Sequence, residues 1–160
     1  MSAEDTRKVA ELIKGQRFGF LTTTTPDGKL TSRPMTLQEV EFDGDLWFFA
    51  ERGSRKVAQI GVNPQVNVTV GSGASWVSLT GTARVVRDDA KKRELWNAGV
   101  AAWFGDAEPE APQVTLLHVD ATSAEYWDSP GGRVATLISF VKAKATGERY
   151  EGGENERVDL

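Results

Sequence analysis

No cysteine occurs among the 160 residues, and histidine occurs once. The first absence excludes a disulfide framework, a thiolate metal site and a thiol nucleophile, and the second excludes a multi-histidine metal centre within one chain. No apolar run approaches the roughly 18–20 residues of a membrane span, and the opening MSAEDTRKVAELIKG reads as a charged helix rather than a signal peptide. A basic excess is missing too: 19 Lys and Arg against 23 Asp and Glu leave a net charge of −4, which argues against broad nucleic-acid binding. The expectation is a cytoplasmic protein with no nucleic-acid or membrane partner and no metal. Its chemistry must come from carboxylates, hydroxyls, cations, aromatics or a bound cofactor. With 39% hydrophobic and 26% charged residues the chain has the composition of a single globular domain, one able to bury roughly 70% of its unfolded surface.

Val9, Leu12 and Ile13 recur at helical spacing behind the polar stretch 2–5, with Gly15 as a stop, which predicts a short amphipathic helix. Residues 18–25 are aromatic or β-branched except Gly19 and Leu21; Pro26-Asp27-Gly28-Lys29 then supplies turn chemistry before residues 30–37, a β-hairpin. Val40 and Phe42 alternate with acids up to Asp43-Gly44-Asp45, and the apolar run 46–50 follows, which predicts a second hairpin. A short helix is expected over 54–62, and strands over 65–70 and 76–86 with Gly81 marking a bulge. Asp88-Asp89 caps a helix expected to reach about Asn97, residues 105–112 form an acidic surface loop, and 114–119 and 125–127 suggest further strand. The chain then turns at 129–132 into 134–141. Residues 1–144 are read as one domain, and 145–160 as a polar tail expected to be partly disordered. The fold expected is mainly β with a few short helices: a closed or nearly closed antiparallel barrel of six to eight strands.

Two local conflicts point to chemistry. In Arg52-Gly53-Ser54-Arg55-Lys56, Arg55 and Lys56 fall in the first turn of a predicted helix, where the macrodipole is already positive. A phosphate there would meet a Ser hydroxyl, first-turn amides, a guanidinium and an ammonium; the alternative is a solvated basic face partly balanced by Glu51. In Thr31-Ser32-Arg33-Pro34-Met35-Thr36, Pro34 cannot donate to a ladder, so the strand lies at an edge or beside a ligand. Arg33 and Met35 share a face at period two. Trp47, Phe48, Phe49, Trp76, Trp96, Trp103, Phe104 and Trp127 include all five Trp; some are core, and beside a phosphate site they would suit a flat aromatic cofactor. His118 alternates with Val114 and Leu116 and is read as a hydrogen-bonded structural or interface histidine.

The run Gly53-Ser54-Arg55-Lys56-x-x-Gln59-Ile60-x-x-Asn63-Pro64-x-Val66 resembles the stretch by which pyridoxamine 5′-phosphate oxidases hold the FMN phosphate. Arg33-Pro34-Met35-Thr36-Leu37-Gln38, Asp43 to Phe48, Glu94-Leu95-Trp96-Asn97, Trp103-Phe104 and Glu125-Tyr126-Trp127-Asp128-Ser129-Pro130 resemble the bacterial general stress protein branch of that superfamily. The resemblance spans about residues 5–140. It implies an FMN-binding split β-barrel working as a homodimer with flavin at the subunit interface, with FAD or deazaflavin as rarer occupants. Arg33, Ser54, Arg55 and Lys56 would then bind the phosphate and ribityl side. Met35, Thr36, Phe49 and Ala50 would line the ring, with Pro34 in the same contacting stretch and strand backbone bonding the ring's polar edge. Trp76 stands where the oxidases use Gln. Trp127 matches a Trp that reaches the flavin from the partner subunit, and Trp103 would approach it likewise.

The departures are equally specific. The oxidases end the Arg33-type motif with a substrate-binding Lys, where this chain has Gln38, and of their later Arg-x-His-x-Arg pattern only Arg133 survives. The expectation is a flavin-dependent oxidoreductase of unknown substrate, accepting hydride from a nicotinamide or other reduced donor and not an efficient pyridoxamine phosphate oxidase. The alternative is a flavin-binding or flavin-storing stress protein without turnover.

Overall fold

Ser2 opens the first helix, α1 (Ala3–Ile13), by accepting from the amides of Glu4 and Asp5, so two of the four unpaired first-turn donors are satisfied. This computed structural model describes residues 2–71, 73–129, 141–147 and 153–160. Val9 and Ile13, one turn apart, are the buried face of α1.

The predicted first hairpin forms as β1 (Phe18–Thr24) and β2 (Leu30–Thr36), in register from Phe18 opposite Thr36 to Thr24 opposite Leu30. Its turn needs Gly28, whose φ of 84° costs glycine nothing. The remaining strands are β3 (Asp45–Glu51), β4 (Gln65–Gly71), β5 (Trp76–Val86), β6 (Val114–Asp128) and β7 (Glu154–Asp159). Every pairing is antiparallel, in the order β2-β1-β4-β5-β6-β3, with β7 added to β6. The sheet curls until its two ends, β2 and β3, approach each other without pairing. Among the described residues the result is a seven-stranded barrel split along one seam, the mainly β architecture expected.

Leu21, Phe48, Val68, Leu79, Leu117 and Val119 fill the barrel and are fully buried. A second apolar layer lies outside it. Helices α3 (Asp89–Leu95) and α4 (Ala98–Trp103) bury Leu95 and Val100, and Trp96 meets the edge of Phe49 at 5.4 Å and stacks on Phe104 at 6.2 Å. Covered on both faces, β6 is buried at every position from Val114 to Val119, which is why that stretch reads as almost continuously apolar. Gly81 marks the expected bulge: the β5–β6 register shifts between Thr80 and Gly81.

Several elements differ from expectation for identifiable reasons. Residues 40–42 form no strand, and β3 pairs with β6 instead, Phe48 lying opposite Leu117. Phe42 still goes inside, but as a loop side chain. The helix expected to reach Asn97 ends at Leu95, because the Asn97 side chain accepts from the amides of Gly99 and Val100 and so starts α4, which was not anticipated. The strands expected over 114–119 and 125–127 are one strand. The tail contributes β7: β3 covers only the first half of one β6 edge, and residues 154–159 occupy the rest, burying Val158. There the Tyr126 hydroxyl donates to Glu156 at 2.8 Å, and its pKa is pushed up to about 12, chiefly by burial and then by that bond. The segment expected over 134–141 lies outside the described residues except Val141, which begins a helical stretch, 141–146. Among the described residues no helix is long and apolar enough to cross a membrane.

Candidate functional site

The two seam strands each keep one edge of backbone unpaired, and the chain leaves β3 directly into α2 (Arg55–Val62). The seam therefore gathers three separate sequence stretches: Arg33 to Thr36 from β2, Phe49 and Ala50 from β3, and Ser54 to Lys56 from the start of α2.

Arg33 is anchored across this gap. One guanidinium nitrogen donates to the Leu21 carbonyl at 3.0 Å and to the Thr23 hydroxyl at 2.6 Å, and the other to Gln59 of α2 at 3.3 Å. Thr23, fully buried, donates in turn to Gln59 at 2.6 Å. None of these acceptors carries charge. Burial, and then the neighbouring Arg55, pushes the Arg33 pKa down. Burial, and then Arg33, does the same to Lys56, against a smaller opposing pull from Glu51. Three cations thus share a site in which no described carboxylate forms an ion pair with them.

Ser54 occupies the N-cap position of α2 with extended backbone, φ −73° and ψ 153°, yet its hydroxyl makes no capping bond. That oxygen is buried and has no hydrogen-bond partner among the described residues, a condition that costs about 1–3 kcal/mol. An anion at this helix start would meet the orphaned hydroxyl, the free first-turn amides and cations that form no ion pair together. The residues present fit a phosphate. Removing the hydroxyl is accordingly expected to leave the ligand-free chain as stable or slightly more so, whereas an N-cap serine in use loses about 1 kcal/mol on change to alanine. Thermal unfolding of Ser54→Ala decides: a clear fall in midpoint would mean that the hydroxyl is bonded in the free protein.

The other predicted residues are divided by strand alternation. Arg33 and Met35 share a face as expected, and Met35 and Ala50 are buried in the barrel core. Pro34 and Thr36 point to the opposite, exposed face, and Phe49 packs under α3 and α4. Adjacent residues of one strand cannot both turn side chains to a ring, so the two edges offer it mainly backbone groups. Trp76 and Trp127 are register partners on the outer face, 51% and 42% exposed, and Trp103 on α4 is 78% exposed. Among the described residues no hydrogen bond or ring contact joins these three to the cation cluster. His118 is a structural histidine, its Nε2 at 2.8 Å from Asp45, its Nδ1 accepting from Arg84 at 3.2 Å, its ring 4.5 Å from that of Trp47.

Sequence reasoning assigned no role to Thr23, Gln59 or Asn97. Gln59 lies three positions after Lys56 on one helix face, which was the available signal; Thr23 had none. Asn97 donates to Gln38 at 3.2 Å, and Gln38 donates to the Thr36 carbonyl at 3.4 Å, so the residue just beyond β2 is tied to the start of α4.

The family model described as pyridoxamine 5′-phosphate oxidase like matches residues 4–151. Protein bli-3 of Neurospora crassa is 28% identical over 151 residues, covering 88% of this chain and 72% of that protein. A protein from Jannaschia sp. CCS1, provisionally named general stress protein 26, is 25% identical, with a TM-score of 0.78 over 99% of this chain and 100% of that one. The general stress FMN/FAD binding protein from Xanthomonas citri is 30% identical, with a TM-score of 0.65 over 79% of this chain and 89% of that one.

Proposed function

The chain belongs to the pyridoxamine 5′-phosphate oxidase-like family, and from that premise we propose that it is an FMN-binding flavoprotein acting as an oxidoreductase. The orphaned Ser54 hydroxyl beside three cations that form no ion pair with a described carboxylate carries this reading. Similarity to a general stress FMN/FAD binding protein supports it. In this reading Ser54, Arg55, Lys56 and Arg33 hold the phosphate, and the unpaired edges of β2 and β3 bond the polar rim of the ring. When bound, the flavin supplies the electron transfer; the protein supplies position and electrostatics. The donor class is a nicotinamide or another small reductant.

Gln38 separates this chain from pyridoxamine phosphate oxidation. It stands where the oxidases place a substrate-binding lysine, is neutral, and is occupied by Asn97. The same observation favours the second reading, a flavin-holding protein without turnover. Fluorescence titration with FMN, riboflavin and FAD, followed by NADH and NADPH oxidation by the loaded protein, tests both. Expected are FMN binding at least tenfold tighter than riboflavin and oxidation of a reduced nicotinamide. Binding without oxidation of either would leave the holding reading, and equal affinity for riboflavin would remove the phosphate site.

The affinity also carries a pH signature. Phosphate contact would raise the Lys56 pKa from its lowered value in the free protein, so the gain is complete below that lowered value, declines above it and is lost as pH rises through the raised value of the complex. The loss is expected to begin at lower pH than an exposed lysine would give. A flat profile up to the ordinary lysine range would mean that Lys56 is not engaged.

We further propose a homodimer closed over the outer face of the sheet, where Phe18, Phe20, Trp76 and Trp127 are 59%, 54%, 51% and 42% exposed. Monomers rarely leave such a patch to water, and it is the face from which Trp127 would reach a partner's flavin. Sedimentation equilibrium is expected to give twice the chain mass. Trp127→Glu should weaken association by about 2 kcal/mol or more, as for a central interface aromatic. A monomeric wild type would end this part of the reading.

A further inference from the structure

Arg33 is held by a closed ring of hydrogen bonds. One terminal nitrogen of its guanidinium donates to the Thr23 hydroxyl at 2.6 Å and the other to the Gln59 side-chain oxygen at 3.3 Å, while Thr23 donates to that same oxygen at 2.6 Å. The first nitrogen also donates to the Leu21 carbonyl at 3.0 Å. A guanidinium has five N–H groups; these bonds use at most three, so at least two are left without a partner among the described residues. Each acceptor is neutral. The guanidinium is therefore oriented without being neutralised.

The ring also crosses the seam. Thr23 lies on β1 and Arg33 on β2, whereas Gln59 lies on α2, the helix that begins with Arg55 and Lys56. Burial first, and then a like charge, lowers the pKa of both Arg33 and Lys56. Repulsion thus opposes the gathering of these cations, and an acceptor shared across the seam offsets it. A carboxylate at position 59 would offset it more strongly, since charge-assisted hydrogen bonds are about twice as strong as neutral ones, but it would cancel the charge that an anion is to meet. The Gln59 amide nitrogen has no hydrogen-bond partner among the described residues, and Gln and Glu have nearly equal helix propensities. Exchanging one for the other here loses no bond and changes mainly the charge. Resting on the reading of Ser54 as a phosphate site, we propose that Gln59 is a positioning residue of that site: with Thr23 it orients the Arg33 guanidinium across the seam, and as an amide it leaves the charge to the ligand.

The whole chain, as wild type, Gln59→Glu and Gln59→Met, is titrated with FMN and with riboflavin, which carries no phosphate. Gln59→Glu is expected to lose about tenfold or more in FMN affinity and less than about threefold in riboflavin affinity. Gln59→Met removes the shared acceptor without adding charge and is expected to lose at least about threefold toward FMN; in Arg33→Ala, which has no guanidinium to orient, the same change should lose nothing further. Equal losses for both flavins, no loss in Gln59→Glu, or a Gln59→Met loss that persists in Arg33→Ala would each overturn the proposal. If Gln59→Glu does not fold, the comparison of Gln59→Met with and without Arg33 decides alone. A wild type that binds riboflavin as tightly as FMN would end the Ser54 reading, and this proposal with it, an outcome read before any variant is made.

Discussion

Lys56→Ala combined with Arg33→Ala is expected to weaken FMN binding at least tenfold, about 1.4 kcal/mol, and up to about a hundredfold by the strength of charge-assisted bonds. Arg33 raises the cost of holding Lys56 in the free protein: it pushes down the Lys56 pKa, and burial pushes down both. Deleting Arg33 relieves Lys56, so single variants should lose less than half of the combined effect. The pair must therefore be removed together. Arg33 also serves the fold, donating to the Leu21 carbonyl and to Thr23. Thr23 keeps its bond to Gln59 without it, and the barrel should survive with a loss of about 1 kcal/mol. Riboflavin is the control, because it has no phosphate: its affinity should change little. Fluorescence titration of both flavins reads the difference, and unchanged FMN affinity in the double variant would dismantle the site.

The second large effect concerns stability. A Cβ added at Gly81 would lie 2.0 Å from the Asp120 carbonyl oxygen and 2.8 Å from its carbon. Both atoms belong to the backbone of β6, which at this level is held between β5 and β3. Neither can move without disturbing two ladders. Gly81→Ala is thus expected to cost about 3 kcal/mol or more, at the upper end for overpacking. Gly71 is the comparison. There the added Cβ would meet the Trp76 ring at 2.1 Å, a side chain and not part of a ladder. Gly71→Ala should lose less than Gly81→Ala. Chemical denaturation of the two variants side by side measures the contrast, and a Gly81→Ala protein as stable as the wild type would mean that the bulge tolerates a side chain.

Locally coded features were legible. Hairpin β1–β2 announced itself through alternation on either side of Pro26-Asp27-Gly28-Lys29, and β5 through eleven residues at period two with a glycine at the bulge. The cationic start of α2 was visible as an electrostatic conflict inside five consecutive residues. Features coded by distant partners were not. Residues 40–45 alternate and turn as a hairpin arm would, yet β3 pairs with β6, a strand buried on both faces over 114–119. Residues 154–159 read as a polar tail because strand β7 buries a single side chain, Val158, on an edge that exists only once β3 has stopped short. Asn97 looked like the end of one helix, and its side chain made it the start of another.

The sequence by itself determined the class of fold, the position of nearly every strand, and a cationic helix start in want of an anion. Each follows from relations between residues a few positions apart: period-two burial, turn chemistry and like charges on one helical turn. Tertiary structure alone decided that the edges of β2 and β3 face each other, that Arg33 reaches Gln59 across that seam, and that β7 fills the part of the β6 edge that β3 leaves open. Alternation specifies which face of a strand is buried but not which strand lies beside it, so groups gathered by closure of the barrel carry no mark in the local sequence.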